Sequence, residues 1–424
     1  MKILFLRIFF SLLVVDGVAQ NLPVDTLPRP FATKSVSNFS KVIGWKDGRK
    51  PVAPAGFRVT KYADGFDNPR WLYELPNGDI LVAQSNSNYG FFKQIGAWII
   101  GAGKSKNLSH SADVITLLRD SNQDGRPDIR ETFLRQGLNQ PFGMLALDDS
   151  FYVANTDGLI RYPYEEGDTK IKAKEEKILP LPAGKINQHW TRNIIASQDG
   201  SKIFIAIGSG TNIAEKGIEK ELLKANILVY NRESKEMNVY ASGLRNPVGM
   251  DWEPETKTLW TVVNERDGLG NDLVPDYLTS VKKNGFYGWP YSYFGVEDPR
   301  VEIEKPKAYD ETIIPDYALQ SHTASLGLVF YTGNSFPEKY HGGAFVVQHG
   351  SWNRKKLSGY KVVFVPFENG SPSGDTEDFL TGFIVDPDDD KVYGRPVGAI
   401  VTQDGSLLIT DDKTHTVWRV SAEK

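Results

Sequence analysis

Six times along the chain a polar turn leads into a short apolar, β-branched run: NGDILVAQS from Asn77, DDSFYVAN from Asp148, DGSKIFIAIG from Asp199, ETKTLWTVVN from Glu255, GGAFVVQHG from Gly342 and DGSLLITDD from Asp404. Runs of this kind, bounded by Gly, Asp and Asn, read as β-strands. Just upstream of each lies a partner run, and four partners open on a polar-Pro step: NPRW at Asn68, QPFG at Gln140, NPVG at Asn246 and RPVG at Arg395. No long helical period intervenes. Paired strands repeated through the chain predict an all-β fold, a six-bladed β-propeller over residues 51–424. A small sheet cannot bury both faces alone, but neighbours stacked around an axis bury them for it. Residues 20–50 are rich in Pro, Ser, Lys and Asn and read as an extended lead-in. Longer segments at about 86–110 and 270–320 read as insertions decorating one face.

Composition narrows the chemistry. A chain of 424 residues exceeds a usual single core, which agrees with a repeat architecture. There is no Cys, so a disulfide framework, a thiolate metal site, a cysteine nucleophile and a covalently attached haem are all excluded. Net charge is −4 without a basic block, which argues against a nucleic-acid partner. The opening MKILFLRIFFSLLVVDGVAQ has the pattern of a secretory signal over residues 1–19, cut after Ala19. Its apolar run falls short of the ~20 residues a span needs. The expected mature chain is therefore soluble, periplasmic or secreted, with no membrane span.

Residues 120–131, DSNQDGRPDIRE, fit the calcium-loop template Asp-x-Asn-x-Asp-Gly-x5-Glu. The flanks VITLLRD and ETFLRQ are strand-like, where an EF-hand needs helices. What remains is a turn in which Asp120, Asn122, Asp124, Asp128 and Glu131 either hold a structural calcium or form an Asp/Asn/Gly turn unaided.

In a propeller the inner strands start near the central channel, so the polar residues that open them converge on one mouth. They are Asn139 and Gln140, His189 with Arg192 and Asn193, Arg245 with Asn246, His322 with Thr323, and Arg395. A set rich in cations and imidazoles suits a small, planar, multiply anionic ligand, because Arg forks bind carboxylates bidentately.

At this point the chain resembles a known family. LNQPFGM, NQHWTRNI, GLRNPVGMDW, NERDGLGNDLVPDYL, GFYGWPYSYFG, HTASLGL, HGSWNR and YGRPVGA are similar to signatures of the glucose/sorbosone dehydrogenase family, especially its sorbosone-dehydrogenase-like branch. The resemblance implies a six-bladed propeller that binds pyrroloquinoline quinone and calcium in the channel mouth and oxidises sugars or sugar aldehydes, passing electrons to a separate acceptor. It implies His189 as general base, with Arg245 and Asn246 beside the quinone carbonyls. Asn139, Gln140, Arg192, Thr323, Arg354 and Arg395 fall among the cofactor-binding positions. The main-chain carbonyls of Asp267 and Gly268 fall where relatives hold the catalytic calcium, although this chain has Asp-Gly where glucose-oxidising relatives have Gly-Pro. Trp289 and Tyr291 read as wedges between blades rather than a sugar platform. Two other functions share the architecture, a calcium-dependent lactonase and a non-catalytic binding scaffold.

Overall fold

Asp199 shows how the repeated turns are made. Its carboxylate accepts hydrogen bonds from Ser197 Oγ (2.6 Å) and the Ser201 amide (3.0 Å). Asp404 does the same for Thr402 Oγ1 (2.7 Å) and the Ser406 amide (2.8 Å). Each carboxylate satisfies a turn donor that no strand reaches, which fixes the reversal between two strands. In the computed structural model, which describes residues 27–87 and 110–423, every turn of this kind joins the first two strands of one sheet.

Six four-stranded antiparallel sheets result. Blade 1 comprises Pro69–Glu74, Ile80–Gln84, Val114–Arg119 and Ile129–Leu134; blade 2, Met144–Leu147, Ser150–Asn155, Gly158–Pro163 and Glu176–Pro180. Blade 3 comprises Arg192–Ala196, Lys202–Ile207, Asn226–Asn231 and Met237–Ser242; blade 4, Pro247–Trp252, Leu259–Val263, Pro275–Ser280 and Tyr317–Ser321. Blade 5 comprises Ser325–Phe330, Ala344–Gln348, Lys361–Val365 and Glu377–Leu380. Blade 6 takes Pro396–Val401, Leu407–Asp411 and Thr416–Ala422 from the C-terminal end and its outer strand, Phe57–Asp64, from the other end of the chain. That pairing closes the ring. The first strand of each blade contacts the first strand of the next all the way round. The molecule is a six-bladed β-propeller, and the six second strands are the six runs anticipated from the sequence.

The Pro-x-Gly step has a packing cause. A Cβ added at Gly249 would lie 2.5 Å from the Leu328 amide of blade 5, and one at Gly143 the same distance from the Ile194 amide of blade 3. At Gly398 it would lie 2.9 Å from the Arg70 carbonyl of blade 1. These glycines therefore mark where one inner strand crosses close against the next blade. The pairing register shifts at the same place in blades 1, 4, 5 and 6, so the inner strand enters through a bulge. Between blades the apolar side chains mesh, as where Trp71, Leu81 and Ile115 of blade 1 meet Phe142, Phe151 and Val153 of blade 2.

Two expectations change. The segment 270–320 is not one insertion, because Pro275–Ser280 and Tyr317–Ser321 within it are strands of blade 4. Only 281–316 is inserted, and its Gly285–Phe286 adds a short parallel strand to blade 3. The lead-in is also attached. From Leu27 onward it crosses the rim, with the Phe31 amide on Leu269 O (2.8 Å), the Asn38 amide on Trp352 O (2.7 Å) and Lys41–Val42 paired with Lys391–Val392. The expected signal, residues 1–19, and nearly all of the segment 86–110 lie outside the described residues. Among the described residues no helix is long and apolar enough to cross a membrane.

Candidate active site

In each blade the first two strands are antiparallel, so the start of the first lies beside the end of the second. Pro247 pairs with Val263, Ser325 with Gln348 and Pro396 with Asp411. The mouth is consequently lined by strand openings and by the residues that follow the second strands.

On the side of blades 3 and 4 stands His189. Its Nδ1 lies 2.8 Å from the Ser209 carbonyl and 3.0 Å from Ser209 Oγ. A carbonyl only accepts, so Nδ1 carries the proton and the lone pair of the neutral ring is on Nε2. Desolvation, reinforced by the Arg245 charge, pushes its pKa down to about 3. Gly208 separates His189 from Asn246: a Cβ there would meet Asn246 Oδ1 at 2.2 Å and His189 Cβ at 2.5 Å.

Arg245 is buried and fixed on every side. Its Nη1 donates to Glu265 O (2.7 Å) and Asn264 O (3.1 Å), and its Nη2 to Asn212 Oδ1 (2.8 Å) and Asp267 Oδ2 (3.4 Å). The other oxygen of Asp267 faces His322 Nδ1 at 3.4 Å, while His322 Nε2 donates to Gly270 O at 2.8 Å. Burial opposes charging His322, but Asp267 outweighs it and raises its pKa. Arg245, Asp267 and His322 thus form a chain beside His189.

Across the mouth, blades 5, 6 and 1 bring together His349, Arg395, Asp412, Lys413 and Arg70. Asp412 accepts from Arg70 Nη1 (2.7 Å), faces His349 Nε2 (3.1 Å) and lies 3.2 Å from Lys413 Nζ. Burial disfavours the charged form of Asp412, but Lys413, His349 and Arg70 hold it well below the usual carboxylate range. Burial pushes Lys413 down to about 8, and pushes the neighbouring Asp411 carboxyl up. Arg395 donates to the His349 and Gly350 carbonyls at 3.2 and 3.3 Å and lies over the Tyr360 ring. The Arg70 guanidinium sits 5.5 Å from the Trp190 ring, next in sequence to His189, which ties the two sides together. Asn246 Oδ1 and Arg70 Nε are buried with no hydrogen-bond partner among the described residues.

The other expected residues are placed as follows. Arg192 is buried, its forks donating to His189 O (2.7 Å), Thr191 O (2.9 Å), Pro182 O (2.6 Å) and Asn187 Oδ1 (2.8 Å), so it holds the loop that carries His189. Asn139 accepts the Thr156 amide (3.1 Å), and Gln140 Nε2 donates to Asn86 O (2.7 Å). Thr323 Oγ1 donates to Asp276 Oδ2 at 2.9 Å. Arg354 sits at the rim, paired with Asp272 at 2.9 Å. Trp289 and Tyr291 are buried, and Trp289 Nε1 donates to Asn212 O (3.0 Å).

The Asp267 carbonyl already accepts Arg300 Nη1 (2.7 Å) and Asn212 Nδ2 (3.0 Å). Asp298 fixes that guanidinium through Nε (2.9 Å) and Nη2 (2.7 Å). With both lone pairs engaged, one by a cation, this oxygen does not fit a calcium ligand as it stands. The loop at 120–128 joins the outer strands of blade 1 on the face opposite the mouth. Asp120 accepts the Asp124 (3.1 Å) and Gly125 (2.7 Å) amides, Asn122 Oδ1 accepts the Asp124 amide (3.1 Å), and Asp128 accepts the Ser121 amide (2.8 Å). Glu131 turns to Lys170 instead (2.7 Å). Among the described residues no group of three or more His, Asp or Glu is placed to hold a metal ion.

The model of the family Glucose / Sorbosone dehydrogenase matches residues 148–362. An uncharacterized protein of Borreliella burgdorferi is 32% identical over 383 residues, covering 88% of this chain and 90% of that protein. A pyrroloquinoline quinone-dependent pyranose dehydrogenase of Coprinopsis cinerea is 24% identical over 424 residues, covering 86% of this chain and 53% of the enzyme, so the chain spans about half of its length. The holo form of the Coprinopsis cinerea pyranose dehydrogenase PQQ domain superposes with a TM-score of 0.68 at 19% identity, covering 90% of this chain and 100% of that domain.

Proposed function

Since the chain belongs to the glucose/sorbosone dehydrogenase family, we propose that it is an exported quinoprotein that oxidises the hydroxyl or hydrated aldehyde of a sugar and passes the electrons to a separate carrier. One observation supports this most: Arg70 and Lys413 flank a single carboxylate held ionised, Asp412, while the Arg395 guanidinium rests on the nearby His349 and Gly350 carbonyls, opposite His189 and Arg245. Buried cations in excess of their partners call for an anionic ligand. Pyrroloquinoline quinone, a planar tricarboxylate, has that chemistry and would supply a hydride acceptor when bound.

The chain's residues then divide the work. Arg70, Arg395 and Lys413 would hold the quinone's carboxylates, and Arg354, paired with Asp272, stands at the rim. Asn246 offers an unpaired amide oxygen, and Asn139, Gln140 and Thr323 fix the strand openings around it. His189 accepts the substrate proton at Nε2, the nitrogen that its Ser209 contact leaves unprotonated. Arg245, immobile in its ring of acceptors, stabilises negative charge that develops beside it without reorganising. No step is routed through calcium: of the two carbonyls expected to hold it, Asp267 and Gly268, the first already accepts Arg300 Nη1.

Titration of the purified chain with the quinone, followed by a screen of sugars with an acceptor dye, tests the reading. An absorption band, a gain in Tm and dye reduction are expected together. His189→Gln should lose ~10²- to 10⁴-fold in turnover while still binding the quinone. Lactone hydrolysis without a dye would reassign the chain to the lactonases, and no response at all would make it a binding scaffold.

A further inference from the structure

Behind Ser209 lies a carboxylate that the mechanism above does not use. Glu221 ends a short 3-10 turn, Ile218–Glu221, inserted between the second and third strands of blade 3. It is 5% exposed. Its Oε2 accepts the Gly210 amide and its Oε1 accepts Thr211 Oγ1, both at 2.6 Å. The turn gripped in this way faces His189 with its other atoms. Ser209 O and Oγ meet Nδ1 at 2.8 and 3.0 Å, Ser209 Oγ donates to Thr211 O at 2.6 Å, and Gly210 O accepts the Gln188 amide at 3.1 Å. The Ser209 amide is bound to Arg245 O at 2.7 Å, so the same turn also touches the strand opening of blade 4.

Burying a carboxylate is costly unless its acceptors are well used. Here the two oxygens engage two consecutive residues, Gly210 and Thr211, and Lys224 lies close enough for its amine to feel the opposite charge. Lys224 is tied in turn to Ile186 O at 2.5 Å, so the unit grips the segment leading to His189 from a second point. An apolar side chain at 221 would leave the Gly210 amide and the Thr211 hydroxyl without acceptors, and the turn would be free to rotate its carbonyl away from the imidazole.

We infer that Glu221 is a positioning residue for His189: by clamping the Ser209–Thr211 turn it keeps the Ser209 carbonyl on Nδ1, which leaves Nε2 as the nitrogen that receives the substrate proton. The inference rests on His189 being the base. Glu221 touches neither substrate nor cofactor and acts through the turn alone.

The test compares Glu221→Gln, Thr211→Val and His189→Gln in the full chain, using pyrroloquinoline quinone, an oxidised sugar from the screen above and a dye. Nitrogen-15 spectra of the histidines report the tautomer independently of turnover. In folded Glu221→Gln, kcat should fall about 10- to 100-fold, the scale of a small misplacement, with KM and quinone affinity within about twofold. The Nδ1-protonated signal assigned to His189 should give way to a tautomer mixture. Thr211→Val removes one of the two bonds and should show the same split to a smaller degree, and it carries the test if Glu221→Gln does not fold. Unchanged kcat and an unchanged tautomer in these variants, with His189→Gln inactive, would overturn the role of Glu221 and leave the base in place. Full activity in His189→Gln would overturn both.

Discussion

His349 and His189 are buried or half-buried imidazoles beside cations, and for both desolvation comes first in pushing the pKa down to about 3, with Arg395 and Arg245 respectively adding to it. An unfolded chain would bind protons on these rings near 6.5. Between the two values the unfolded state carries more protons, so stability is present above about pH 6.5 and is lost as pH falls toward 3. Replacing one ring removes its share of the loss. His349→Gln should therefore give a shallower fall of Tm between pH 7 and 4.5 than the parent chain, by an amount on the order of a few kcal/mol at the acid end. Thermal melts across that range decide it, and parallel curves would show that Asp412 keeps His349 charged in the fold.

Glycine at the crossing of two inner strands is a demand of the element rather than of any site. Gly249 has no left-handed φ, so its replacement by Ala tests space alone: the added carbon meets backbone of blade 5 at 2.5 Å. Gly249→Ala should cost about 1 to 3 kcal/mol, the range of overpacking, in urea unfolding. A neutral result would mean that the blades can part. The Pro-x-Gly steps were legible because each repeats a geometric need, and so were the six second strands, each announced by a polar turn of the kind that Asp199 and Asp404 close with their carboxylates. The site was legible only in part. Strand openings pointed to His189, Arg245 and Arg395, yet His349 and Lys413 follow the ends of second strands, in VVQHG and LLITDDK, and the same convergence argument applied to strand ends would have found them. Arg70 stood inside the quoted NPRW without being singled out. Arg300 and Glu221 lie in loops with no period or motif, and only the folded chain brings them to the site.

At the scale of the whole molecule, six blades pool their charged strand ends into one mouth, so occupancy of the mouth must register as stability of the ring. A ligand that binds the folded state alone adds about 2.7 kcal/mol at a hundredfold excess over its dissociation constant. Quinone titration should therefore raise Tm, and Arg70→Ala or Lys413→Met, each removing one cation around Asp412, should weaken the gain without abolishing the ring. Metal dependence follows from the other half of the mouth. With Asp267 O engaged by Arg300 at 2.7 Å and Arg300 fixed by Asp298, the quinone-dependent gain is expected to be the same in EDTA as in excess calcium. A gain that appears only with calcium would show that the ion displaces the guanidinium, and Arg300→Met should then bind calcium more tightly than the parent chain. If the gain is metal-independent, Arg300→Met should instead loosen the loop that carries Asp267 and lower quinone affinity even with calcium present, because the cation that caps the loop is then a side chain.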